Sequence, residues 1–373
     1  MNSVHRPMAP AVALLIALLL IWSAAFVPAA AQSPNDTARY LAGLPPSGAS
    51  PLARLTRHQA WVRHAAVLDQ AWQRLQKNQL SRIRAWSRQH LPGHRQLMLY
   101  MFSGPDFLYA DAFYPNATTY VLTALEPVGP IPDVMRLSRG ARALALQELR
   151  GSMQSVLTFS FFITKEMKTD LSTGTLRGAL PVLYVFLARA GKTIHQVQFV
   201  ALKPDGTVGP RRAGAGKRSA PGVKIVFSSG DGVRRTLYYF RTDLSNGGLK
   251  ASGLRAFCRA LGPADSLIKS ASYLLHGRSF SLARAFLLEH SAAIVQDDSA
   301  IPVRFFDETR WALHPFGQYL GPIEIFAQHY QPRMQRLFAR PRAVPIDFGI
   351  GYRWRYNRTN VLLAIKRTLR VPR

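Results

Sequence analysis

The sequence predicts an α+β fold: a long N-terminal amphipathic helix followed by a mixed, mostly antiparallel sheet with packed helices. Three observations carry this. Apolar residues between Leu55 and Trp86 recur mostly at spacings of three, four or seven, the repeat that lines one face of a helix. The pattern then changes to short aromatic and aliphatic runs bounded by turn residues, which is how strands read. Runs of strands and runs of helices follow each other without regular βαβ alternation, which points to α+β.

The chain begins with an export signal. His5 and Arg6 precede an apolar run from Ala11 to Val27, and Ala29-Ala30-Ala31 closes it. A positive start, an apolar middle and an A-x-A end is the layout that a signal peptidase cuts, here near Ala31. The run is also close to the ~20 residues that span a bilayer, so an anchor retained over residues 11–27 is the alternative. Either way the protein is expected to work outside the cytoplasm, periplasmic or extracellular after cleavage. Residues 32–50, with Pro45-Pro46-Ser47-Gly48 at their centre, read as a flexible linker. Residues 51–373 read as a single α+β domain.

Ser50-Pro51 supplies an N-cap and a first-turn proline, and the helix they open runs to about His90. Its polar face carries Arg54, Arg57, Arg63, Arg74, Lys77, Arg82, Arg84 and Arg88 against Asp69. Such a face can lie on an anionic membrane or simply face solvent. Residues 95–102 and 118–125 read as strands, 138–154 as helix, 156–164 as a buried strand, 175–190 as helix and 194–202 as an alternating strand. A basic loop fills 209–222. Its Gly214-Ala215-Gly216-Lys217 fails as a phosphate loop because Arg218 takes the Ser/Thr place. Residues 223–227 and 235–241 form a hairpin. Helices are expected at about 249–261, 264–276 and 280–291, and short strands at 292–296 and 302–306. A helix over about 321–339 and strands at 346–355 and 360–367 close the chain.

Charge narrows the partners. Lys and Arg number 48 against 20 Asp and Glu, a net charge of +28. Nucleic acid is the first thought for so basic a chain, but export removes it from that company. Anionic lipid and acidic envelope polymers are the partners that basic surface meets there. The lone cysteine, Cys258, cannot form an internal disulfide. It lies beside Phe257 in a short amphipathic run and reads as a buried structural residue.

The familiar signatures of metalloproteases, serine hydrolases, redox dithiols, calcium loops and dinucleotide sites are missing from the sequence, so no cofactor and no metal are expected. What remains is charge geography. From Gln96 to Met135 there is no Lys, Arg or His, while Asp106, Asp111, Glu126 and Asp133 fall among seven Phe and Tyr residues. Carboxylates on turns beside aromatic rings suit sugar and cation binding. Asp106 and Asp111 are therefore candidate catalytic acids, and Tyr109, Tyr114 and Glu126 candidate ligand contacts. Asp297 and Asp298 follow an apolar run and could serve as general acid and base, although neighbouring residues on a strand face opposite ways. His314, half-buried by its aromatic neighbours, could pair with Asp297. These features predict a soluble envelope protein that binds or supports anionic components. A hydrolase working through the clustered carboxylates is the alternative.

Overall fold

The computed structural model describes residues 33–91, 96–161, 174–211, 219–339 and 343–367. The segment expected to be an export signal and most of the expected basic loop lie outside the described residues. Ten strands form one sheet in the order β4-β3-β5-β6-β2-β1-β7-β8-β10-β9. They are β1 (Leu97–Tyr100), β2 (Thr119–Ala124), β3 (Thr193–Leu202), β4 (Val208–Pro210), β5 (Ala220–Ser228), β6 (Arg234–Arg241), β7 (Ala264–Ile268), β8 (Ser291–Gln296), β9 (Trp311–Gly317) and β10 (Asn360–Lys366). Five of the nine pairings are antiparallel.

The four parallel pairings are contiguous, and they make the centre: β6-β2-β1-β7-β8. Every residue of β1 and β7 is buried, which is what a strand covered on both faces requires. The period-two alternation still sorts their side chains. Met98, Tyr100, Tyr120 and Leu122 enter one core, and Leu97, Leu99 and Val121 enter the other. Numbered by chain order, the parallel strands run 3-2-1-4-5, the order of doubly wound dinucleotide-binding sheets. After β1 the chain winds to β2 and later β6 on one side, then returns to β7 and β8 on the other. The switch point is therefore the seam between β1 and β7.

The first core is covered by α1 (Pro34–Leu41), α2 (Gln59–Leu75), α3 (Ser81–His90), α4 (Phe107–Phe113), α5 (Arg139–Phe159) and α6 (Leu180–Arg189). The second lies under α7 (Asn246–Ala251), α8 (Leu254–Leu261) and α9 (Ser281–His290), while α10 (Pro332–Leu337) joins a small third cluster. Helices α2 and α3 are joined by a π-helical turn, Gln76–Leu80. They and the turn bury Trp61, Leu68, Leu75, Leu80, Ile83 and Trp86 while Arg63, Arg74, Lys77 and Arg88 face solvent; residues 53–57, expected as the start of this helix, are a separate 3₁₀ turn. No helix among the described residues is long and apolar enough to cross a membrane.

Several elements differ from the expectation. The stretch expected as a linker is folded from Pro34 onward: Ala38, Leu41 and Ala42 are fully buried, and Tyr40 O accepts from Trp61 Nε1 at 3.0 Å. Residues 156–159 continue α5 instead of starting a strand. Residues 264–268 are a strand, not the start of a helix. Residues 303–305 are a 3₁₀ turn, and the expected helix over 321–339 reduces to a 3₁₀ turn and the short α10. Residues 346–355 hold no strand, and β9 was not anticipated. Cys258 is buried, and desolvation pushes its thiol up to about 12.

Candidate functional site

In a parallel sheet all carboxyl ends reach one edge, and loops diverging at a switch point leave a crevice there. This chain has that crevice. Its volume is about 800 Å³ with the open mouth included. Its walls are the segments that follow four of the five parallel strands: Phe102 to Asp106 after β1, Leu125 and Glu126 after β2, Thr242 to Leu244 after β6, and Lys269 to Ser272 after β7, with Phe280 beside them.

Asp106 and Lys269 face each other across the seam, with Lys269 Nζ 2.8 Å from Asp106 Oδ2. Both side chains are almost wholly buried, at 1% and 2% exposure. Asp106 also accepts from Tyr100 OH at 2.9 Å and from the backbone N–H of Tyr109 at 3.2 Å, which caps α4. Lys269 donates to Ser160 O and stands 4.2 Å above the Tyr109 ring. Each charge thus has a full set of partners, the condition for tolerating it inside a protein. Burial, reinforced by the Asp106 charge, holds the Tyr100 and Tyr109 phenols well above their ordinary range, so both stay neutral.

The loop after β7 is strained. Five non-glycine residues among those described have positive φ: Phe102, Ser160, Ser270, Ser272 and Tyr273. Left-handed backbone costs such residues roughly 1–2 kcal/mol each, so neighbouring groups must hold it. Asp297 and Asp298, just past β8, do this. Asp297 Oδ2 accepts from Ser270 N at 2.9 Å, and its Oδ1 accepts from Ser299 N at 3.0 Å and Ser299 Oγ at 2.5 Å. Ser299 Oγ accepts from Ala271 N at 2.8 Å. Asp298 turns the other way, accepting from Tyr273 OH at 2.6 Å and Asn360 Nδ2 at 3.1 Å. Tyr352 OH donates to Ser270 O at 3.2 Å and meets Ser272 Oγ at 2.8 Å. Gly351, at φ +68°, lies so close that a Cβ there would fall 1.8 Å from Asp297 Oδ2. Desolvation first, then the neighbouring Asp298 charge, pushes the Asp297 carboxyl up to about 7; burial also raises Asp298.

The candidates from sequence therefore separate. Asp106 and Glu126 line the crevice. Asp297 and Asp298 stand behind its wall, so the two acidic clusters do meet, through Lys269 and Ser270. Tyr109 lies beneath Lys269. Tyr114 is a core residue donating to Ser266 O at 3.3 Å. Asp111, on α4, is buried in ion pairs with Lys192 at 2.6 Å and Arg84 at 3.9 Å and does not line the crevice. His314 is exposed on β9, with β10 between it and β8; Asp297 bonds to serines instead. Sequence reasoning missed Lys269, Ser270, Tyr273 and Tyr352. A lone lysine closing an apolar run, Leu267-Ile268-Lys269, was the one signal available. Among the described residues no group of three His, Cys, Asp or Glu side chains could hold a metal ion. Comparison with known protein families, characterised proteins and solved structures gives no match to this chain.

Removing one partner of the buried pair strands the other charge. Asp106→Asn is expected to lower unfolding free energy by about 3–5 kcal/mol, and the double change Asp106→Leu with Lys269→Met to recover most of it. A urea titration in which the single change costs under about 1 kcal/mol contradicts the pairing.

Asp297 carries a pH signature. The folded state keeps its proton up to about 7, whereas the unfolded chain releases it near pH 4. Folding therefore binds a proton between those values, and Asp297's contribution to stability falls as pH rises from about 4 to about 7. His64 and His276, both lowered to about 4 by burial, give the opposite slope. The comparison must therefore be with Asp297→Asn, which keeps both histidines. Wild-type stability relative to that variant should decline across the window in thermal unfolding; a flat or rising difference contradicts the buried, proton-holding carboxyl.

Proposed function

We propose that this is an exported protein of the cell envelope that binds a small molecule in the crevice at the carboxyl edge of its parallel strands. One observation carries the reading. All five left-handed non-glycine residues among those described converge on this crevice: Phe102, Ser270 and Ser272 line it, Ser160 receives Lys269, and Tyr273 is tied to Asp298. Backbone strain persists only where its surroundings over-determine it, and it concentrates at ligand sites. The position at a topological switch point supports the same reading.

Export rests on the N-terminal signal pattern, and the exposed arginines of α2 and α3 support residence beside anionic lipid or acidic polymer. The hydrolase alternative draws little support from this geometry. Asp106 is committed to Lys269, and Asp297 and Asp298 hold a loop in place. Binding is the activity the arrangement favours.

Native mass spectrometry of the protein isolated from its own envelope fraction tests this. Wild type is expected to carry an added small-molecule mass that Ala124→Phe, which fills the crevice, loses. Leu274→Trp at the mouth serves if Ala124→Phe does not fold. Identical spectra for wild type and a folded crevice-filling variant contradict the proposal.

A further inference from the structure

We infer that a second pocket, where three 3₁₀ turns meet, is a binding site for a phosphate group. The turns are Leu274–His276, Val303–Phe305 and Glu324–His329. They bring His276, Arg304 and His329 to one pocket of about 450 Å³ with the open mouth included, which Gly277, Gln328 and Tyr330 complete. None of the six lines the crevice, so this site is independent of the crevice's ligand.

Three rings fix its wall. His329 stacks on Tyr273 with centroids 4.9 Å apart. His276 stands nearly perpendicular to both, 5.1 Å from Tyr273 and 5.0 Å from His329. Tyr273 is held in turn through its hydroxyl, which donates to Asp298 at 2.6 Å. Groups fixed in advance lose little entropy when a ligand arrives.

The charge beside these rings is one-sided. The guanidinium carbons of Arg304 and of Arg284, on α9, stand 4.8 and 3.8 Å from the centre of the Phe305 ring. The ring face offsets part of their mutual repulsion. Among the described residues no carboxylate forms an ion pair with either arginine. The acids closest in sequence are engaged elsewhere: Asp307 accepts from Thr309, Glu308 pairs with Arg333 at 3.0 Å and Glu289 with Arg259 at 3.2 Å. Glu324 does not line the pocket. Two groups register the uncompensated field. Burial and then the Arg304 charge lower Arg284; burial and then His329 lower His276, with both arginines adding to the effect. Like charges held this close cost energy that a bound anion offsets. A phosphate suits the site because it carries up to two charges and directs oxygens towards guanidinium, imidazole and the Gln328 amide at once. A soluble phosphate and the phosphate headgroup of a lipid share that chemistry.

Isothermal titration of the full-length protein with inorganic phosphate, in about 150 mM salt so that diffuse attraction is screened, tests this. Arg304→Gln is expected to weaken binding at least ~10-fold. Arg88→Gln, which removes the same charge from the solvent face of α3, should leave it unchanged. His329→Gln serves if Arg304→Gln does not fold. Sedimentation with phosphatidylcholine vesicles, with and without phosphatidic acid, separates the sources. Loss of binding to the acid-containing vesicles by Arg304→Gln, but not by Arg88→Gln, identifies the lipid headgroup; Arg304-dependent binding of inorganic phosphate alone identifies the soluble anion. Wild type that binds neither inorganic phosphate nor phosphatidic acid vesicles overturns the inference. So does equal weakening by Arg304→Gln and Arg88→Gln, which would reduce the effect to net charge.

Discussion

A lysine and a carboxylate sealed from water meet at the seam between β1 and β7, and the upper edge of the sheet is arranged around them. Desolvating either group costs several kcal/mol, so Asp106 and Lys269 are tolerable only where each finds the other. The pair therefore ties the turn after β1 to the loop after β7 across the one place where the winding reverses. Tyr100, the start of α4 and Ser160 complete the shell. A different register between these strands would leave a buried charge without a partner, which ties this ion pair more to specificity than to net stability.

From that seam the strained loop follows. Lys269 is immediately succeeded by Ser270, Ala271, Ser272 and Tyr273, three of which lie in the left-handed region. The loop is held from behind by Asp297 and Asp298 and from the side by Tyr352. Adjacent residues at a strand end point in opposite directions, and here that geometry lets two successive carboxylates grip two points of one loop. Burial raises the proton affinity of both carboxyls, and the neighbouring Asp298 charge adds to it at Asp297, which therefore changes protonation near neutral pH. Packing and electrostatics are linked through about five residues of backbone, Lys269 to Tyr273.

Part of this was legible in the sequence. Apolar spacing marked the run that holds α2 and α3, although residues 53–57 at its start are a 3₁₀ turn; turn residues marked the β5–β6 hairpin; and the acidic island holds Asp106 and Glu126, which line the crevice. The parallel centre was not legible. A buried parallel strand lacks the alternation that marks a half-exposed one, and β7 is five residues long. Its Asp265 and Lys269 sit four apart, which imitates a helical pair. In the fold Asp265 Oδ1 accepts from Ala293 N at 3.2 Å across the β7–β8 pairing, while Lys269 turns to Asp106. Misreading β7 hid Lys269 and the loop after it, and with them the site. Residues 34–50 misled for another reason: Pro, Gly and Ser suggested a linker, but Tyr40 and Leu41 bury against α2, a tertiary contact that local composition does not encode.

Hydrogen–deuterium exchange read by mass spectrometry, comparing the protein as isolated from its envelope fraction with the same protein stripped of bound small molecules, tests the ligand crevice most directly. Protection is expected at residues 101–106, 124–126, 242–244 and 269–274, with the rest of the sheet unchanged. Unaltered exchange in those four segments, or protection confined to other parts of the chain, contradicts a binding site at the carboxyl edge of the parallel strands.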